Sequence, residues 1–153
     1  MNRHQIDAKN FLMKAYRVDE RIDNKMEQIA SLHDLATKAT ATISDMPGCG
    51  DRDTNRMEEA IVRIIDLESE LKDDIVQLVE LKKQILHSIK RVGNPEYQTL
   101  LELRYLSYMS WEQIAVELNY GIDNIFKLHR KALDEVEVPE TVQFFTEKYS
   151  KSV

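Results

Sequence analysis

From Phe11 onward, apolar side chains recur in alternating steps of four and three. Phe11, Ala15, Val18, Ile22, Ile29, Leu32, Ala36, Ala39 and Ile43 follow this rule, with Lys25 as the one polar interruption. Such spacing keeps one face of an α-helix apolar over many turns, so it predicts a long coiled-coil-like helix. Asn2 and Gln5 stand at capping-box spacing ahead of it. The run stops in Ser44–Thr54, where Pro47, Gly48, Gly50, Asp51 and Asp53 favour a turn. A second stripe then joins Ile61, Ile64, Leu71, Ile75, Leu78, Ile85, Ile89 and Val92, with Glu68 and Lys82 falling on it. Two such arms predict an antiparallel helical hairpin, each arm on the order of 55 Å long. Lys25, Glu68 and Lys82 are either register-setting polar positions or edge residues of a broad face.

The chain holds only four Gly and three Pro among 153 residues, so few positions oppose helix and an all-α fold is expected throughout. Gly93-Asn94-Pro95 closes the second arm, with Gly as the expected C-cap. Aromatic residues (Tyr97, Tyr105, Tyr108, Trp111, Tyr120, Phe126) then become frequent, which suits a compact core in place of a seam. The expected organisation is therefore a hairpin assembly domain over 1–93, a small helical head over 94–137 and a short amphipathic tail over 138–153. A hairpin this thin leaves apolar surface uncovered, so a homo-oligomer, a dimer or larger, is expected to form through the N-terminal helices.

The head carries the pattern with most functional content. Ser110 and Gln113 form a capping box, so a helix begins at Trp111, and Ile114, Ala115 and Leu118 share one face of it. Asn119-Tyr120-Gly121 includes residues that tolerate a left-handed backbone, as a tight turn between helices requires. Asp123 is the expected cap of a second helix in which Ile125, Leu128, Ala132 and Leu133 face inward. That wheel turns Lys127 and Arg130 outward, flanked by Asn124, Phe126 and Lys131. Arg and Lys suit guanine edges or phosphates, Asn suits adenine, and an aromatic edge suits the thymine methyl. These five are the candidate contacts to double-stranded DNA; Phe126 is equally suited to packing against the tail.

Three stretches then carry a resemblance: Leu101-x-x-Arg104-Tyr105, Met109-Ser110-Trp111-Glu112-Gln113-Ile114-Ala115, and Leu128-His129-Arg130-Lys131-Ala132-Leu133. Together they resemble the DNA-binding region 4 of sigma-70 factors. More closely, they resemble the ArpU and RinA type of small regulators from phages and prophages of Gram-positive bacteria. The resemblance covers Tyr97 to Val136 and implies a helix-turn-helix whose second helix, Asp123 to Leu133, reads the major groove. It also implies transcriptional control of late genes, with RNA polymerase as a further partner. The hairpin lacks the aromatic and basic pattern of a promoter-melting region, so a complete sigma factor is not expected.

Charge opposes this reading. The chain has a formal net charge of -6, and within 96–136 four cations (Arg104, Lys127, Arg130, Lys131) stand against seven carboxylates. Phosphate neutralisation supplies much of the affinity for DNA, so one head alone is expected to bind weakly, and two heads on one particle would compensate. The alternative is a coiled-coil adaptor or packaging-related protein whose head binds another protein.

No enzyme is expected. His4, His33, His87 and His129 are scattered without partners at ligand spacing and are read as surface residues, so neither a metal nor a cofactor is implied. Gly48-Cys49-Gly50 lacks the Lys and Ser/Thr of a phosphate loop. A lone cysteine, a polar N-terminus at Met1–Asp7 and no apolar run near 20 residues lead to the expectation of a cytoplasmic protein with no membrane partner.

Overall fold

A computed structural model describes residues 1–45 and 50–140, leaving aside the side chains of 39–45 and 50–53. The protein is all-α. Its described elements are α1 (Arg3–Leu12), α2 (Lys14–Asp45), α3 (Gly50–Lys90), α4 (Pro95–Tyr105), α5 (Trp111–Leu118) and α6 (Ile122–Asp134). The expected tail at 141–149 and the centre of the expected turn, 46–49, lie outside the described residues. The chain divides into two compact units. One is Val18–Leu78; the other joins Met1–Arg17 to everything from Val79.

Within Val18–Leu78, α2 and α3 lie antiparallel. Val18 and Ile22 are buried, and Lys25, Ile29, Leu32 and Ala36 continue the same heptad half-buried, as the spacing predicts. On α3 the inward stripe is Ile64, Leu67, Leu71, Asp74 and Leu78. This corrects the expected stripe, because Ile61 and Ile75 are 45% and 46% exposed and Glu68 is exposed as well. The reason is a polar pair. Lys25 Nζ lies 2.5 Å from Asp74 Oδ2 and 3.5 Å from Glu70 Oε2. Asp74 thus occupies an inward position, and counting apolar residues alone steps past it to Ile75. A lysine on such a seam is tolerated only with a carboxylate facing it.

The second unit, here called the head, is built differently from the expected 94–137. The helix that starts the chain breaks at Met13, and α1 packs on α6. Asn2 caps α1 in the expected capping box, its side chain accepting from the Gln5 amide at 2.8 Å while Gln5 Oε1 accepts from the Asn2 amide. Gln5 Nε2 also donates to the Arg130 carbonyl at 3.2 Å, and the Asn2 side-chain amide donates to Asp134 Oδ1 at 3.4 Å. Ala8, Phe11, Leu12 and Ala15 join Leu81, Ile85, Ile89 and Val92 in the core of this unit. Lys82, expected on the seam, lies with its ammonium 5.4 Å from the centre of the Tyr108 ring, a cation–π contact.

The junction to α4 also differs in detail. α3 ends at Lys90, and Gly93 does not take a left-handed backbone, so it is not the cap. Instead Asn94 caps the next helix by accepting from the Glu96 amide at 2.9 Å, with Pro95 at the first helical position, where no N–H is needed. α4, α5 and α6 then pack on one another, around buried Leu100, Leu101, Tyr105, Ile114, Ile125, Ala132, Leu133 and Val136.

Candidate nucleic-acid interface

Ser110 and Gln113 form the reciprocal capping box that starts α5, at 3.2 and 3.0 Å. α5 ends at Asn119, whose φ of 59° and ψ of 44° lie in the left-handed region. Asn pays less for that conformation than most residues because its short amide bonds locally. The Tyr120 amide donates back to the Ala115 carbonyl at 3.0 Å, closing the turn. Gly121, in extended backbone, precedes α6. Asp123 is not the cap, since α6 begins at Ile122 and no side chain caps it. The aspartate stands in the first turn, where a carboxylate complements the helix dipole. Tyr120 also donates its hydroxyl to Glu96 Oε1, tying the turn to the start of α4. That bond, and the nearby charge, raise the Tyr120 pKa.

The inward face of α6 is Ile125, His129, Ala132 and Leu133, while Leu128 is half-buried. His129 is therefore a core residue and corrects the expected surface histidine. Its Nε2 lies 2.6 Å from the Tyr105 hydroxyl. Burial pushes the imidazole pKa down to about 3, with Lys9, Arg104 and Arg130 adding like-charge repulsion. Burial likewise raises the Tyr105 pKa. A neutral imidazole beside a protonated hydroxyl follows, and the imidazole tautomer sets which of the two donates in the bond they share. Trp111 meets His129 edge-on at 4.5 Å and Phe126 edge-on at 5.4 Å between ring centres. The Arg104 guanidinium covers Trp111 at 4.4 Å and donates to the Met109 carbonyl at 2.9 Å. Five side chains from α4, α5 and α6 thus fix the rotation of α6 about its own axis.

That rotation decides what faces outward. Asn124, Lys127, Arg130 and Lys131 are all exposed, with Lys127 near the middle of the outward face and the others flanking it. Arg130 Nε leans back toward the Phe126 carbonyl at 3.4 Å. Phe126 differs from the other four candidates. It is 37% exposed, and its partner is Trp111 at the border of the core. The fixed wheel leaves three cations and one amide side chain on a single face, the chemistry that suits phosphates and base edges. The sequence reading missed Arg104, Tyr105 and His129 as the residues that orient this face. The signal was present in the spacing of Ile125, His129 and Ala132, at i, i+4 and i+7, but a histidine was not counted as inward.

A second contribution comes from α1. Residues 1–17 carry Arg3, Lys9, Lys14 and Arg17 against a single carboxylate, Asp7. Burial, and then the charge of Arg17, lower the Lys14 pKa. The segment packed on α6 is therefore basic, although 96–136 taken alone is acidic. Among the described residues, no three His, Cys, Asp or Glu side chains come together as a metal site, and no helix is long and apolar enough to cross a membrane.

These features define an all-α protein with an antiparallel helical pair and a head in which two short helices meet through a left-handed turn. The chain belongs to DUF1492, a protein family of unknown function, whose model matches residues 41–137. No curated protein and no solved structure matches it.

Proposed function

We propose that this protein is a sequence-specific DNA-binding transcriptional regulator whose helix-turn-helix, α5 and α6, places α6 in the major groove. The observation that carries the reading is the outward row Asn124, Lys127, Arg130 and Lys131, held in place by a fully buried opposite face and a left-handed turn at Asn119. Lys127 and Arg130 contact guanine edges or phosphates, Asn124 suits an adenine edge, and Lys131 neutralises a neighbouring phosphate. The resemblance of Tyr97 to Val136 to region 4 of sigma-70 factors and to ArpU/RinA-type regulators supports phage or prophage late genes as the target. It supports RNA polymerase as a further partner. Lys9 and Arg3 on α1 offset the acidic balance of the rest of the head.

Gel-shift titration of the full chain against DNA from upstream of phage late genes tests this. Replacing Lys127 and Arg130 together by Ala removes two cations from the outward face and weakens binding by about 2 kcal/mol or more. The slope of log affinity against log salt falls in step, by about 1 for each phosphate that is no longer neutralised. Unchanged binding by the double variant overturns the assignment of α6. Absence of any shift at every salt concentration, with a protein partner retained by the head, favours a coiled-coil adaptor instead.

A further inference from the structure

Moving the α3 seam to Ile64, Leu67, Leu71, Asp74 and Leu78 leaves a second apolar row on the same helix exposed, with no partner among the described residues. Ile61, Ile65, Ile75 and Val79 are 45%, 59%, 46% and 51% exposed, and Val62 and Val76 beside them are 58% and 67% exposed. The row Ile61, Ile65, Glu68, Lys72, Ile75, Val79 again follows steps of four and three, the period of a helix that pairs with another helix. Solvent-facing helix surface does not need six aliphatic residues in this order.

The order also reads the same in both directions. Counting outward from residue 70, Glu68 mirrors Lys72, Ile65 mirrors Ile75, and Ile61 mirrors Val79. A surface of that kind matches itself when a second copy is turned end for end, which is the requirement of a two-fold, isologous interface. Every apolar position then meets an apolar position. At the centre, Glu68 of each copy meets Lys72 of the other, twice. In a parallel pairing, by contrast, Glu68 would meet Glu68 and Lys72 would meet Lys72, which costs free energy. Both side chains are exposed, and neither makes an ion pair among the described residues.

We infer that this face of α3 binds a second copy of the same chain, antiparallel, with Glu68 and Lys72 setting the orientation. The inference is independent of what the head binds. A monomeric protein overturns it and leaves the DNA reading standing, and a failed gel shift leaves the dimer standing.

Sedimentation equilibrium on the full chain, of 17.9 kDa, gives twice that mass for the wild type. Ile65→Asp gives the mass of one chain with helicity unchanged by circular dichroism. Glu68→Lys and Lys72→Glu each raise the dissociation constant on the order of tenfold, and the two changes combined in one chain restore it. Cross-linking reads orientation without depending on affinity. In a Cys49→Ser background, Ile65→Cys chains mixed with Ile75→Cys chains form a disulfide-linked pair on oxidation, and neither variant links to itself. A wild type that keeps the mass of one chain at every concentration overturns the inference. So do a dimer indifferent to Ile65→Asp and an Ile65→Cys variant that links to itself.

Discussion

His129 shows how a titratable side chain comes to serve packing. It is 5% exposed, touches Trp111, bonds Tyr105 and is surrounded by the cations Lys9, Arg104 and Arg130. Protonating it in place would bury a charge among like charges. Its folded pKa is pushed down to about 3, whereas an unfolded histidine titrates near 6.5. Above that value both states are neutral and the stability is fully present. As pH falls, the unfolded chain takes the proton first, so stability drops by about 1.4 kcal/mol per pH unit and levels off only near the folded pKa. Urea unfolding between pH 7 and 5, above the carboxylate range, is expected to show this loss. His129→Gln is expected to be less stable at pH 7, by about 1–3 kcal/mol, and to show a flatter profile in the same window. An unchanged profile would place the imidazole in solvent.

At the scale of elements, Lys25 and Asp74 decide how α2 and α3 register. Removing one partner strands the other charge. Lys25→Ala is expected to cost about 2–3 kcal/mol, less than a fully buried pair because the lysine side chain keeps 20% of its exposure. Replacing both by Leu is expected to be neutral or stabilising. Thermal unfolding of the two variants checks the pair of outcomes, and equal losses would deny the coupling.

The same pair explains what sequence reading recovered. The α2 seam was legible because its heptad is apolar except at one position. The α3 seam was legible in part: Ile64, Leu71 and Leu78 face inward as expected, but the inward Asp74 is justified only by the facing lysine. A periodicity count sees Ile61 and Ile75, and it cannot know that their face points away from α2. In the head, the capping boxes and the left-handed Asn119 were legible because each depends on residues three apart or on one backbone angle. The cluster of Arg104, Tyr105, Trp111 and His129 spans three helices, and single-helix spacing does not reveal it.

For the whole molecule, the expected boundary at residue 93 cuts through a packed unit. α1 buries Ala8, Phe11 and Leu12 and holds the Arg130 carbonyl through Gln5, yet it lies outside the matched span 41–137. Long-range packing of that kind leaves no local signature in the sequence. A fragment limited to 94–137 is therefore expected to lose cooperative unfolding and to be cleaved rapidly by protease. A version that keeps 1–17 and the chain from 79 onward, joined by a short linker, is expected to unfold as one unit. Circular dichroism melts of the two, side by side, distinguish them; a well-folded 94–137 fragment would make α1 dispensable. The Asn2 side-chain amide also donates to Asp134 Oδ1 at 3.4 Å, so the start of α1 is tied directly to the end of α6. A pull on the first turn of α1 is thereby passed, through Asn2 and Gln5, to the last turns of the helix that carries Lys127 and Arg130.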